Sequence, residues 1–457
     1  MKNITKYMMA AAMMCAATGM SAQALSSGYF LDGYLFKHQL NPALESDKAY
    51  FSIPVLGNIN IGTRGNIGLG NFLYPTANGG LTTFMNSSIS AEEFLNGLST
   101  NNKLAMNLDM SILSAGFRAW GGFNTIDIGL RSHTALNIPK DMLEFMKVGQ
   151  SGPTTVYDMG DMGMSSANYV EVALGHSRQI TDKLRVGAKV KFLLGGMYAD
   201  MSLKNTHVTL SENEWVVSAN GEMNIAAKGM TVPEKDGGLV DFDNISYDSP
   251  GLSGFGLGID LGATYEVIDN LTVSAAIKDL GFIGWSNNTY ASTNNEPWRF
   301  DGFENLTFSD DKEEDKLENQ LDALGDEFED YANLHRRSTG EKLSKALAAT
   351  LVVGAEYALP MYDKLSFGLL STTRFNGPYT WSEGRLSANV SPLSWLEGGV
   401  NVAVSSFGTS AGWILNLHPK GFSIFLGMDC LVGKVNPQFI PVNNANASFS
   451  CGFNVTF

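Results

Sequence analysis

Apolar residues recur at every second position along most of this chain, and that period is the signature of a strand rather than a helix. Leu184, Val186, Ala188, Val190, Phe192 and Leu194 alternate with Arg185, Gly187, Lys189, Lys191 and Leu193. Ile259, Leu261, Ala263, Tyr265 and Val267 alternate with Asp260, Gly262, Thr264 and Glu266. Leu271 to Lys278, Ile126 to Arg131 and Leu396 to Ser405 follow the same rule. The pattern predicts strands over 59–72, 105–119, 123–134, 167–180, 183–196, 255–268, 270–280, 347–359, 363–375, 383–391, 395–406, 410–418, 421–430 and 449–457. These are fourteen, with twelve and sixteen as the alternatives, because boundaries read this way err by about 2–4 residues. A further stretch at 49–55 would make the number odd, which conflicts with two termini on one side of a membrane.

Alternation alone fits both a soluble sandwich and a membrane barrel. Connection lengths separate them. Very short turns at Thr181-Asp182-Lys183, Asp269-Asn270, Tyr362-Asp363-Lys364, Ser391 to Ser394 and Pro419-Lys420-Gly421 tend to alternate with long connections at about 135–166, 197–254, 281–346 and 431–448. Outer-membrane barrels sort tight periplasmic turns from long outer loops in this way. The last strand alternates Phe449, Cys451, Phe453 and Val455 with polar or small residues and ends on the aromatic Phe457. Trp120, Trp395, Tyr362 and Phe457 fall near strand ends, as an interfacial girdle would. The expected fold is an all-β transmembrane antiparallel barrel with long outer loops that carry short helices.

Composition is consistent with this. Mean hydropathy is −0.04, as expected when only one strand face is apolar, and no run of about 18 apolar residues follows the N-terminus. Lys2 and Lys6, the apolar stretch Tyr7 to Ala17 and small residues up to Ala24 predict a secretory signal peptide over 1–22, cleaved after Ala22 or Ala24. The formal net charge of −15 argues against a nucleic-acid partner. Past the signal only Cys430 and Cys451 remain, too few for a disulfide scaffold. Both sit in the lipid-side register of neighbouring strands, which suggests two lipid-facing thiols rather than a bridge.

Residues 25–58 precede the first expected strand, and 59–457 form the expected barrel. The early segment is rich in aromatics (Tyr29, Phe30, Tyr34, Phe36) and contains Leu40-Asn41-Pro42-Ala43. Asn-Pro-Ala near the mature N-terminus, before about fourteen strands, resembles the long-chain fatty-acid transporter (FadL-like) superfamily of outer-membrane barrels. The run from Gly28 to Leu44 looks closer still to barrels related to the PorV and PorP components of type IX secretion. The first resemblance implies an N-terminal hatch inside the barrel, with Asn41, Pro42 and Ala43 as hatch residues. It also implies passive uptake of a small hydrophobic ligand across the outer membrane, with membrane lipid around the wall. The second implies a surface barrel that anchors or shuttles secreted-protein partners. Transport predicts an apolar pocket reaching from the outer loops to the hatch, and a partner role predicts an exposed rim patch and no continuous pocket.

No catalytic constellation stands out, and neither an enzyme nor a cofactor is expected. The six histidines (His38, His133, His176, His207, His335, His418) form no metal-ligand spacing. Gly-x-Ser-x-Gly is absent. His133 and His176 on strands leave a barrel phospholipase as a distant alternative. Gly251, Gly254, Gly256 and Gly258 precede a strand, not a helix, so they mark a strand start rather than a dinucleotide loop. Within an acidic outer loop at about 310–335, Asp310 to Asp330 holds eleven acids against Lys312 and Lys316. There Leu317, Leu321, Leu324, Phe328 and Tyr331 mark one helical face, read as packing on the barrel rim. A second helix, Pro139 to Val148, presents Met142, Leu143, Phe145 and Met146. Ordinary packing is the first reading for it, and an adaptable lipophilic surface the second.

Overall fold

The computed structural model describes residues 24–76, 78, 80–294, 296–302, 317–431 and 446–457. The expected signal peptide and part of the acidic loop lie outside the described residues. Seventeen strands build the wall. They are β1 (Tyr50–Ser52), β2 (Ile59–Gly65), β3 (Asn101–Ala119), β4 (Gly122–Pro139), β5 (Met162–Gln179), β6 (Leu184–Ser211), β7 (Trp215–Thr231), β8 (Gly254–Ile268) and β9 (Leu271–Ser292). After them come β10 (His335–Ala346), β11 (Thr350–Ala358), β12 (Leu365–Arg374), β13 (Trp381–Leu393), β14 (Leu396–Ser405), β15 (Gly408–Leu417), β16 (Phe422–Met428) and β17 (Ala447–Thr456).

Three pairs run end to end as single staves. β1 and β2 both lie between β17 and β3. β7 continues β8 between β6 and β9. β10 continues β11 along β9. The wall is therefore a closed antiparallel barrel of fourteen strands. The stretch around residue 50 is a genuine strand, yet parity survives because it shares its stave with Ile59–Gly65. The segment expected to run to residue 58 accordingly gives way to wall at Tyr50.

Burial runs opposite to that of a soluble protein. Along β13, Glu383, Arg385, Ser387 and Asn389 are buried while Leu386 and Val390 are exposed. Along β6, Lys189 and Lys191 are buried, and Val186, Val190 and Phe192 are exposed. Apolar side chains face out all round and polar ones face in, as a bilayer requires. The long β6 spans 28 residues, where about 9–11 cross a membrane, so the wall stands tall beyond the bilayer at one end. No helix among the described residues is long and apolar enough to cross a membrane.

Trp120, Tyr362, Trp395 and Phe457 are exposed and all lie at the end with the short turns, which is the periplasmic end of such barrels. There Trp120 and Gly121 take φ of 53° and 72°, the two positive values that a tight two-residue hairpin needs. The opposite end carries α1 (Ala91–Asn96), α2 (Lys140–Val148) and α3 (Leu317–Ala332). Two of its connections, 375–380 and 406–407, are short, so loop sorting is less strict than the sequence suggests.

Cys430 and Cys451 are free thiols. Cys451 holds the outward register beside Leu426 and Ile59. Cys430 does not face lipid: β16 ends at Met428, the alternation stops there, and the thiol is buried.

Candidate functional site

Residues 24–48 lie among inward-facing side chains from all round the barrel. The segment has almost no regular structure beyond two single-turn helices, Ser26–Gly28 and Lys37–Gln39. Side chains of the wall satisfy much of its polar backbone, as buried irregular backbone demands. Asp429 accepts the amides of Ser26 and Ser27, both at 2.8 Å, and the Ser27 hydroxyl at 2.6 Å. Its charge is met by Arg385 and Arg64, 3.6 and 3.9 Å away. Glu397 on β14 accepts the amide of Gly33 at 3.0 Å. Lys278 on β9 donates to the Gln39 carbonyl at 2.7 Å. Glu45 pairs with Arg185 on β6 and Arg118 on β3.

Two further contacts fix the middle of the segment. His38 joins a ring of hydrogen bonds: Lys189 donates to its Nδ1 at 2.7 Å, and its Nε2–H donates to Tyr50 at 2.7 Å. Tyr50 meets Ser114 at 2.9 Å, Ser114 donates to Asp127 at 2.6 Å, and Asp127 returns to Lys189 at 3.3 Å. Burial, with the Lys189 ammonium alongside, holds the imidazole down to about 3, so it is neutral and able to accept from lysine. Phe36 and Tyr50 lie against the imidazole and meet each other edge to face, and Tyr34 packs edge to face on Phe425 beyond Phe36 with centroids 5.1 Å apart.

Asn41, Pro42 and Ala43 form the turn between these contacts. Asn41 Oδ1 accepts the Ala43 amide at 2.9 Å, and its Nδ2 donates to Tyr29 at 3.1 Å. The turn rests on Gly187 and Gly262, which are cross-strand partners on β6 and β8. A Cβ at Gly187 would stand 2.1 Å from the Pro42 oxygen, and one at Gly262 would stand 2.0 Å from Asn41 Oδ1. This glycine pair is a window that only bare backbone can provide. The sequence shows the tripeptide but not the wall side chains that hold the rest of the segment: Asp429, Glu397, Lys278 and Lys189. The inward charges on alternating strands were the signal for most of them.

Above the segment the lumen is crossed by buried charges. Lys191 lies 2.6 Å from Asp279, 2.8 Å from Asp260 and 3.3 Å from Glu171. Arg131 meets Glu171 at 3.0 Å. Two lumenal cavities share this level. The lower, of about 60 Å³, touches Ser26, Gln39 and the charges. The upper, of about 270 Å³, is lined by Tyr169, Tyr198, Trp285, Arg374 and Trp381 among others.

A third cavity of about 240 Å³ is apolar, lined by Met142, Met162, Met164, Met201, Leu203, Val217, Phe328 and Tyr331 among others. Register shows where it lies. Met164 pairs with Met201, and Met201 pairs with Met223. Their neighbours Ser165 and Asp200 face the lumen and line the upper cavity there. The methionines therefore project from the opposite, outer face of the extended wall, where α2 and α3 cover them. Among the described residues the lumen above the N-terminal segment is occupied by charge rather than by a continuous apolar pocket. Within α3, Phe328 packs on Trp298 with centroids 4.9 Å apart, and Tyr331 donates to the Val217 carbonyl at 2.8 Å. The described part of the acidic loop thus packs on the rim by its apolar face. The Met142–Phe145 side of α2 serves both packing and cavity.

His133 and His176 bind Asn107 and Asn124 side chains at 3.0 and 2.9 Å, not a serine hydroxyl. Among the described residues no group of histidine, cysteine and carboxylate side chains is spaced to hold a metal.

A closed fourteen-stranded transmembrane barrel with a filled lumen defines the class. The chain belongs to DUF5723, a family of unknown function whose model matches residues 42–429. No curated protein matches it. Among solved structures, it is similar to the toluene transporter TbuX of Ralstonia pickettii, at 12% identity over 91% of each chain with a TM-score of 0.41. A Pseudomonas aeruginosa FadL homologue matches at 12% identity over 96% of this chain and 98% of that one, TM-score 0.36. The translocator domain of the autotransporter NalP from Neisseria meningitidis matches at 8% identity over 90% and 89%, TM-score 0.33.

Proposed function

We propose that this chain is an outer-membrane uptake barrel for small hydrophobic compounds, that residues 24–48 are its hatch, and that Asn41-Pro42-Ala43 seats the hatch on the wall. The observation that carries the reading is the pairing of a charge-lined lumen, occupied in part by residues 24–48, with a methionine-lined apolar cavity under the outer helices. A lumen of that polarity admits no bulk apolar phase, and a hatch tied to strands all round passes no ions freely. The apolar cavity, by contrast, offers a sheltered surface to a solute arriving from outside. Methionine side chains repack around varied shapes at small cost, which suits capture of a class of solute rather than one molecule. The solute then leaves sideways along the wall or past a rearranged hatch.

Photolabelling tests the capture step. A small aromatic diazirine, applied to the detergent-solubilised protein, should label peptides containing Met142, Met164 or Met201. Excess naphthalene should compete the label away, and Leu203→Trp, which fills the cavity, should abolish it. Labelling that is spread over the lipid-facing wall and unaffected by naphthalene contradicts a capture site.

A further inference from the structure

The apolar cavity behind the wall owes much of its lining to one residue type. The chain has 20 methionines, of which six fall before residue 24 and fourteen after it. Five of those fourteen line this cavity: Met142 on α2, Met159 ahead of β5, Met162 and Met164 on β5, and Met201 on β6. Met142, Met159 and Met164 are buried. Leucine would make as apolar a wall and would lose less rotamer freedom on being ordered, so packing alone does not call for five thioethers. Three of them are neighbours on one face. Met162 pairs with Leu203, and Met164, two residues on, pairs with Met201. Directly opposed side chains point to the same side of a sheet with Cβ atoms about 4.5–5.5 Å apart, and the next side chain on that side follows roughly 6.5 Å along the strand. Met162, Met164 and Met201 are thus three corners of a four-residue square, and a methionine side chain is long enough to bring its sulfur over the middle. Met142 and Met159 reach the same cavity from α2 and from the connection ahead of β5.

The donor set says what it would hold. A thioether sulfur is a soft, neutral donor that selects copper(I) and its heavier analogue silver(I), whereas harder divalent ions take imidazole or carboxylate. Thioethers stand outside the histidine, cysteine and carboxylate set, which builds no metal site among the described residues. Neutral ligands leave the charge of the ion uncompensated, and the cost of burying charge favours a single charge over a double one. The rings of Phe145, Phe328 and Tyr331 line the same cavity, and aromatic rings attract a cation electrostatically. The cavity, at about 240 Å³, leaves the sulfurs room to close around an ion.

We infer that the methionine cluster behind the wall is a binding site for a soft monovalent cation, copper(I) or silver(I), with Met162, Met164 and Met201 as its core ligands and Met142 or Met159 completing the set. The site shares its cavity with the proposed capture of hydrophobic solutes but rests on the thioethers, not on uptake.

Calorimetric titration of the detergent-solubilised protein with silver nitrate in chloride-free buffer tests it, in a Cys430→Ala/Cys451→Ala background that removes the two thiols. Silver should bind saturably at one equivalent, and zinc nitrate should show no such site. Met164→Leu with Met201→Leu keeps the volume and apolarity of the cavity and should weaken silver by about tenfold or more, since two of three core ligands are lost. Retained heat-modifiable gel mobility shows that the variants are folded. If the cysteine-free background does not fold, the native chain should lose one silver equivalent on the same methionine changes. If the double methionine variant does not fold, Met162→Leu is the reading variant and should weaken silver severalfold. Absence of saturable silver binding overturns the site, and so does a folded methionine variant that binds unchanged. Zinc binding that the same methionine changes abolish overturns the soft-ion assignment. Silver binding without naphthalene-competed photolabelling removes the uptake reading and leaves the ion site, and labelling without silver binding does the reverse.

Discussion

Removing residues 26–48 should raise single-channel conductance in planar bilayers by about tenfold or more, the difference between a sealed lumen and an open polar one. The magnitude follows from size. About eight strands can be filled by their own side chains, and this wall has fourteen. Part of the remaining space is taken by the N-terminal segment, whose Leu25, Leu31, Tyr34, Leu35 and Phe36 are almost completely buried. The deletion stops short of Tyr50, which pairs with Thr456 and Gly116 and so belongs to the wall. Closure is preserved while the filling is lost. Asp429, Glu397 and Lys278 lose partners, but in an opened lumen water replaces them. An intact protein that already conducts like an open porin, or a deletion without effect, contradicts the hatch.

Lys191→Met should lower the unfolding free energy by about 3–5 kcal/mol, the usual cost of removing one partner from a buried ionic cluster. The substitution keeps the side chain's bulk. It leaves Glu171, Asp260 and Asp279 without the ammonium they share, with Arg131 near Glu171 and Lys278 and Arg374 lining the same cavity but making no direct ion pair with them among the described residues. Urea titration read by heat-modifiable mobility would measure the loss. Adding Asp260→Asn and Asp279→Asn to Lys191→Met should recover part of it, since the penalty lies in unpaired charge rather than lost contact. A loss below about 1 kcal/mol, the size of an exposed pair, would mean that water reaches this cluster freely.

Much of the barrel was legible because a bilayer imposes one rule on every strand. Each of the fourteen expected stretches corresponds to a stave, since lipid outside and charge inside force period-two alternation wherever the chain crosses. Where that rule lapses, the reading lapsed too. Trp215–Thr231 and His335–Ala346 stand above the membrane, where no lipid demands an apolar outer face: His335–Ala346 is polar on both faces, and Trp215–Thr231 carries Val216, Ala226 and Met230 on its more polar one. The alternation fades there, so the sequence presents both as loop. The same lapse hid the apolar cavity: Met164 and Met201 look like ordinary outward residues until α2 and α3 are seen to roof them. Asn41-Pro42-Ala43 was visible as a turn, but its seat was not, because Gly187 and Gly262 lie 75 residues apart and meet only through the register of β6 with β8. Cys430 was misplaced for a related reason, since the strand ends two residues before it.

The central claim, uptake of small hydrophobic compounds, is tested most directly in whole cells, where lipopolysaccharide slows their unaided entry. The initial rate of N-phenyl-1-naphthylamine fluorescence should rise severalfold when the protein is expressed, and Leu203→Trp, with its apolar cavity filled, should return it to the rate of cells without the barrel. Equal rates with and without the protein, at matched outer-membrane levels of folded barrel, would contradict the account.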